Sequence, residues 1–299
     1  MVAPVLAQTK SHLCNLFKIN GSTYPATSIT LKDNATQLAI EDKIIANIPT
    51  QHPQDEIPIT LDGKAIYCVA GTLTADLVKE AASTGQFIIY GSINHNDRNY
   101  IRSYTNGAKS IKFINIDGEQ VTSLQQILYE SEASSVTFEN CNFSKVWTLL
   151  NAFSYMSNLT SFSFKGMGLT NKLTELRYMF FGCKKLESVD FCNCDFSSVN
   201  NLYGMFSNCS ALKSIDFSSC NLTSVSSTGN MFNSCSALES IDFSNCDFSN
   251  VTTIQYYMFA GCKALKEIKA IGCNEATIAF LKDRLNDAGL TNQVTLTVK

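Results

Sequence analysis

The sequence predicts an α/β-type solenoid, with one parallel β-sheet, short turn or 3₁₀ crossovers, αβ caps and a short N-terminal β-rich segment. Three observations support this prediction. A near-identical segment returns at intervals of 26 to 27 residues, apolar and polar residues alternate within it, and helix and strand patterns flank it. A fixed period of this length indicates units that complete their apolar core only against their neighbours.

Each repeat unit contains a Met-Phe pair, a cysteine three residues after the Phe, and a leucine three residues later. From that leucine onward the unit follows L-x-x-L-x-L-x-x-C-x-L, in which one apolar residue replaces another, and this is the leucine-rich-repeat signature. Two units match this signature closely. The residues are Leu212, Ile215, Phe217, Cys220 and Leu222 in one unit, and Leu238, Ile241, Phe243, Cys246 and Phe248 in the next. Seven units, weaker at both ends, lie between about residues 108 and 274.

The alternation within each unit predicts one short strand. In Ser214-Ile215-Asp216-Phe217, Ile and Phe point to one face and Ser and Asp to the other. Strands that repeat in this way run parallel, so each needs a crossover. The connecting segments are rich in Ser, Asn and Gly, which favours turns or short 3₁₀ pieces over long helices.

Nine of the twelve cysteines recur in phase with the repeat. They form one column of Cys183, Cys209, Cys235 and Cys262, and a second of Cys141, Cys194, Cys220, Cys246 and Cys273. Stacked strands are about 4.8 Å apart, so equivalent thiols become neighbours. A thiol packs as a small apolar group and offers a weak S–H donor to backbone carbonyls.

Three chemical roles for these cysteines are disfavoured. A column of five leaves one thiol without a disulfide partner, and parallel side chains approach each other poorly. Zinc sites commonly use C-x₂₋₄-C pairs, whereas the chain has only Cys192-x-Cys194. A catalytic thiol needs a base, and His12, His52 and His95 lie outside the regular units. The sequence therefore predicts packing cysteines and a protein that is not an enzyme.

Both ends of the repeats carry patterns typical of caps. Residues 61–107 predict a strand, a helix and a strand, with Thr74 as the helix N-cap and Gly85 as its stop. Residues 275–299 predict a helix that ends at Gly289 and then a strand. The apolar residues of that helix are Ile278, Leu281 and Leu285. These segments would cover the terminal apolar layers of the repeats at 108–274.

Residues 1–60 do not follow the repeat period. Short apolar stretches such as SITL, TQLAI and IPITL are separated by prolines, which predicts short strands and loops. We interpret this part as an attachment segment, with homo-oligomerisation or particle attachment as its expected role.

Composition excludes several classes of function. The net charge of −3 indicates no excess of basic residues that could bind nucleic acid. An apolar run of about 18 residues is absent from the sequence, so we expect no membrane span. The first residues show neither a basic region nor a long apolar one, so no secretory signal is predicted.

The outward strand positions define a candidate binding face. Its residues are Ser188, Asp190, Lys213, Ser214, Asp216, Glu239, Ser240 and Asp242. Its aspartates, Asp190, Asp216 and Asp242, would form a file in which neighbours are about 5 Å apart. The electrostatic repulsion between their carboxylates must then be compensated. The sequence predicts no cofactor. It favours screening of the aspartate charges by solvent, and the alternatives are bound Ca²⁺, a basic partner, or side chains of the neighbouring column. That column holds Glu187, Lys213, Glu239 and Lys266.

The run from Met231 to Thr252, MF-x-x-C-x-x-L-x-x-I-D-F-S-x-C-D-F-S-N-V-T, resembles the BspA-like bacterial surface leucine-rich repeats. The resemblance covers about residues 108–274. It implies an exported, non-enzymatic surface protein that adheres to host or matrix proteins. The sequence departs from that family in lacking a visible export signal or lipobox cysteine.

These observations predict a non-enzymatic protein that acts at an extracellular-facing surface, on a cell or a virion, and adheres to or recognises a protein or glycan partner. The alternative is a structural protein of a phage or other particle, a fibre or decoration protein anchored by residues 1–60. The absence of a predicted signal favours that alternative, because virion proteins are released by lysis.

Overall fold

The computed structural model shows parallel sheets with few helices. It describes the backbone of residues 13–14, 31–32, 37–40, 43–47, 65–68, 70–191, 194–251 and 257–299. Within these ranges the chain contains fourteen strands and three α-helices.

Short strands occur in the N-terminal segment. They are β1 (Leu13–Cys14), β2 (Leu31–Lys32), β3 (Gln37–Ile40) and β4 (Lys43–Asn47). Strands β2, β3 and β4 form an antiparallel sheet, while β1 pairs with β5 (Ala65–Cys68). The predicted β-rich character is confirmed at β3, which lies in the stretch TQLAI, whereas β2 contains only the last residue of SITL. The strand expected at 57–61 lies outside the described residues.

The predicted N-terminal cap contains α1 (Ala75–Ala82), β6 (Gln86–Ser92) and a helix that was not predicted, α2 (His95–Tyr104). The N-cap prediction is confirmed, because the Thr74 hydroxyl accepts a hydrogen bond from the Leu77 N–H at 3.3 Å. Gly85 follows the helix with φ of 82°. Strands β5 and β6 run parallel and continue the sheet of the first repeat strand.

Each predicted repeat unit contributes one strand. These strands are β7 (Ser110–Asp117), β8 (Ser135–Glu139), β9 (Ser161–Ser163), β10 (Ser188–Asp190), β11 (Ser214–Asp216), β12 (Ser240–Asp242) and β13 (Glu267–Lys269). All paired neighbours among them are parallel. A unit here means one strand and the crossover that follows it.

The expectation of one continuous parallel sheet is wrong. Parallel pairing is divided into three groups, with breaks between β8 and β9 and between β10 and β11. The hydrogen bonds that precede the strands at the two breaks, Thr160 N to Ser134 O and Lys213 N to Glu187 O, are 3.3 and 3.4 Å long.

The crossovers are turns, as predicted, and the described residues contain no 3₁₀ helix. Hydrogen bonds from residue i+3 to residue i close these turns, for example from Met179 N to Leu176 O at 3.2 Å. A second parallel ladder of single bridges joins the crossovers across both sheet breaks. Its residues are Ser123, Thr148, Glu175, Asn201 and Ser227. The units therefore remain stacked where the strands separate.

The core is a stack of phenylalanines between the strands and the crossovers. Phe180, Phe206 and Phe232 are fully buried, and their ring centroids follow at 5.5 and 5.6 Å in stacked orientation. On the strand side Phe217 and Phe243 stack at 5.6 Å. Each ring is shared by two units, so burial of its apolar area depends on the neighbour.

The C-terminal cap matches its predicted elements, with α3 (Glu275–Asp287) and β14 (Thr295–Thr297), which pairs parallel with β13. Asn274 caps α3 by accepting from Thr277 N at 2.8 Å. The buried Thr277 hydroxyl accepts the Phe248 N–H at 2.8 Å. This contact ties the helix to the unit of β12.

Candidate functional site

Strands β11 and β12 place four of the predicted face residues side by side. Ser214 pairs with Ser240 and Asp216 with Asp242, while Ile215 and Ile241 between them are buried. Ser214 and Asp216 are exposed, and Ser240 and Asp242 are half-buried. The predicted outward direction of Ser and Asp is therefore confirmed for this pair of units.

Ser188 and Asp190 are also exposed, but their strand β10 pairs with β9 rather than β11. The Ser163 hydroxyl donates a hydrogen bond to Asp190 Oδ2 at 3.0 Å. The break between β10 and β11 therefore separates Ser188 and Asp190 from the paired residues of β11 and β12.

The neighbouring charged column forms its own ion pairs. Lys213 Nζ lies 2.7 Å from Glu187 Oε2, and Lys266 Nζ lies 2.8 Å from Glu239 Oε2. The hydrogen bond to Glu187 raises the pKa of Lys213, and that from Lys266 lowers the pKa of Glu239. The alternative in which these side chains reach the aspartates is therefore wrong for these pairs. Through these ion pairs Glu187 and Lys266, which were not among the predicted face residues, lie next to Lys213 and Glu239 of that face.

Backbone donors and one lysine offset the aspartate charges. Asp216 Oδ1 accepts the Ser218 N–H at 2.8 Å, and Asp242 Oδ1 accepts the Ser244 N–H at 2.9 Å. Lys269 Nζ is 4.0 Å from Asp242 Oδ2. Sequence reasoning missed Lys269, although it occupies the Asp position of the next unit.

The described thiols of the first cysteine column are buried. Each donates a hydrogen bond to a phenylalanine carbonyl of the preceding unit, which confirms the predicted packing and donor roles. The pairs are Cys183 to Phe153, Cys209 to Phe180, Cys235 to Phe206 and Cys262 to Phe232, with Sγ to O distances of 3.0 to 3.1 Å.

Burial suppresses the reactivity of these thiols. It raises the pKa of Cys183 and of Cys262 to about 12, so both stay protonated at neutral pH. A protonated, buried thiol is a poor nucleophile and a poor metal ligand. His95, on the exposed start of α2, lies 3.2 Å from the Thr122 hydroxyl. His12 and His52 lie outside the described residues.

In the part of the chain that the structure describes, no three His, Cys, Asp or Glu side chains are grouped closely enough to hold a metal ion. Ca²⁺ at the aspartate file and the non-enzymatic character stay predictions. The same described part contains no helix with the length and apolar character needed to cross a membrane.

Residues 156–271 match a protein family described as "Mycoplasma protein of unknown function, DUF285". This match covers strands β9 to β13 and their crossovers, which is less than half of the chain. The curated proteins contain no match to the sequence.

Two solved structures with similarity to the chain are a leucine-rich cell surface protein from Faecalibacterium prausnitzii and the Toll–Spatzle complex from Drosophila. The first is 17% identical, with a TM-score of 0.35, and the match covers 59% of this chain and 57% of that chain. The second is 14% identical, with a TM-score of 0.33, and the match covers 81% of this chain and 36% of that chain. The matches thus span less than two thirds of both solved chains.

Proposed function

We propose that this chain is a non-enzymatic leucine-rich-repeat solenoid that binds a protein or glycan partner through its strand face. The proposal rests mainly on the register of β11 and β12, which sets identical outward Ser and Asp residues beside each other. Stacked repeats present extended surfaces of this kind, and such surfaces commonly bind partners.

The charges of the face favour a basic partner surface. Asp216 and Asp242 are anchored by backbone donors, so their carboxylates are held in fixed positions. The neighbouring lysines Lys213 and Lys266 are paired with glutamates of adjacent units. Complementary charge across an interface steers association and selects partners.

We place this binding at an extracellular-facing surface. The support is the resemblance of the run Met231–Thr252 to bacterial surface repeats, and the match of residues 156–271 to the mycoplasma family. Residues 1–60 would provide the attachment.

The test is binding of the purified full chain to a panel of extracellular-matrix proteins and glycans. The variant Asp216→Lys/Asp242→Lys changes the face, and Asp283→Lys changes an exposed carboxylate on α3 as the matched control. We expect at least one partner to bind the wild type and the control and to lose binding to the face variant. The proposal fails if no member of the panel binds, or if every partner binds all three proteins equally.

A further inference from the structure

A concave surface lies on the crossover side of the units. It is a cavity of about 280 Å³ lined by Arg177, Tyr178, Asn201, Tyr203 and Ser227. Small-molecule sites begin at about 300 Å³, so this cavity is of the size for one ring of a ligand. Asn201 and Ser227 belong to the bridge ladder of the crossovers, which holds the cavity walls in register.

The lining is rich in hydrogen-bond donors. Asn201 Oδ1 accepts the Tyr203 N–H at 3.0 Å, which leaves the amide NH₂ of Asn201 as the remaining donor. The Tyr203 hydroxyl accepts from Asn230 Nδ2 at 2.5 Å and forms a hydrogen bond with the Tyr178 hydroxyl, so the two tyrosines together have one hydroxyl proton left for a further acceptor. Arg177 adds donors and a permanent positive charge. The cavity therefore suits a ligand with acceptor oxygens and a negative charge.

The charge of Arg177 is only weakly compensated within the protein. Its Nη2 is 3.7 Å from Glu175 Oε2, which is beyond hydrogen-bonding distance. The other oxygen of Glu175 accepts the backbone N–H of Arg177 at 2.9 Å. Arg177 Nε is buried and has no hydrogen-bond partner. A buried donor without a partner costs free energy, so the guanidinium is incompletely satisfied in the unbound protein.

Tyr178 occupies a backbone position that is unusual for a bulky residue. Its φ is 56°, in the left-handed region, and the equivalent residues of other units, Asn151, Gly204, Asn230 and Tyr257, share this conformation. The conformation is therefore a feature of the repeat, which a tyrosine adopts at a cost in free energy. Gly204 leaves space for the ring, because a Cβ there would lie 2.5 Å from Tyr178 Cε1. Gly204 of the next unit thus makes room for the Tyr178 ring beside the cavity.

We propose that the cavity binds a uronic acid unit of an acidic glycan. The carboxylate lies on the guanidinium of Arg177, and the ring lies against Tyr178 and Tyr203. A guanidinium pairs bidentately with a carboxylate, and tyrosine offers both an apolar ring and a hydroxyl to a sugar. This site uses none of the strand-face residues, so it stands or fails independently of the proposed function.

The test is calorimetric titration of the full chain with an oligogalacturonate and with its methyl-esterified form, which has the same rings without the charges. Arg177→Gln removes the charge, and Lys172→Gln, an exposed cation outside the cavity lining, is the matched control. We expect the Arg177 variant to bind at least about tenfold more weakly, the ester to bind as weakly, and the control to bind like the wild type. Thermal melting establishes that each variant is folded.

If Arg177→Gln does not fold, Tyr203→Phe replaces it, because this change removes only the hydroxyl and is expected to weaken binding. The proposal is overturned if the wild type does not bind, if the ester binds equally well, or if Arg177→Gln binds like the wild type. It is also overturned if inorganic phosphate displaces the sugar at equal concentration, since the site would then bind anions in general.

Discussion

The Cys209 thiol donates a hydrogen bond to the backbone carbonyl of Phe180 in the preceding unit, with Sγ 3.1 Å from the oxygen. The same bond recurs for Cys183, Cys235 and Cys262. Three cysteines of the second column, Cys141, Cys246 and Cys273, donate in the same way to a phenylalanine carbonyl of the preceding unit, at 3.4, 3.5 and 3.1 Å. A cysteine in phase with the repeat therefore fills a tight bend and satisfies a carbonyl there.

Replacement of Cys209 by alanine is expected to lower the free energy of unfolding by about 1 to 3 kcal/mol, because it leaves a small cavity and removes the donor of Phe180 O. The adjacent Ser210→Ala is the control, since Ser210 is exposed, and it should change stability by less than about 0.5 kcal/mol. Urea denaturation measures both. Equal stability of the two variants would contradict the packing role.

The buried thiols also make stability depend on alkaline pH. Burial raises the pKa of Cys183 from 9.0 to about 12. Below pH 9 the thiol is protonated in both the folded and unfolded states, so its contribution to stability is intact. As pH rises from 9 toward 12 the unfolded thiol ionises first, and this contribution is lost.

Denaturation midpoints across this pH range should therefore fall more steeply for the wild type than for Cys183→Ala. The alanine variant serves as its own control for the ionisation of lysines and tyrosines in the same range. Parallel profiles of the two proteins would show that the pKa of this thiol is not raised by folding.

Much of the fold follows from the sequence because the repeat is read directly from recurring residues. Helix α2 was missed because its segment is polar, and only Asp97 and Ile101 are buried in it. Its signal is local, a capping box in which Asn94 accepts from Asp97 N and the Asp97 carboxylate accepts from Asn94 N. The sheet breaks were not predicted, because apolar and polar residues alternate in the same way in the strands on both sides of each break.

Gly166 is expected to be intolerant of a side chain. Its φ is 80°, and a Cβ would lie 2.2 Å from the carbonyl oxygen of Phe138 in the neighbouring unit. Backbone cannot move aside, so Gly166→Ala should cost more than about 2 kcal/mol. Gly85→Ala is the matched control, because Gly85 has φ of 82° and open space around it. If both variants melt at the same temperature, the close approach between the units is refuted.

Added Ca²⁺ is expected to leave the melting temperature unchanged. Asp216 and Asp242 already accept backbone N–H groups, and Lys269 lies near Asp242. Scanning calorimetry with Ca²⁺ and with Mg²⁺ as the control ion tests this. A rise in the melting temperature specific to Ca²⁺, and lost in Asp216→Asn, would show that the file is a metal site.

The candidate site was only partly predictable. Alternation indicated which strand residues point outward, because that depends on local geometry alone. The partners of the charges depend on which units lie side by side and on side-chain reach, so Lys269 was missed. The crossover cavity was missed because its lining residues come from three successive units and are brought together only by stacking of the units.

The stacking of successive units in register is tested most directly by methyl–methyl nuclear Overhauser effects among Ile215, Ile241 and Ile268 in isoleucine-labelled protein. These buried residues occupy paired positions on β11, β12 and β13. The structure predicts effects from Ile215 to Ile241 and from Ile241 to Ile268, and none from Ile215 to Ile268. The absence of the first two, or a third of equal strength, would contradict the stacked arrangement.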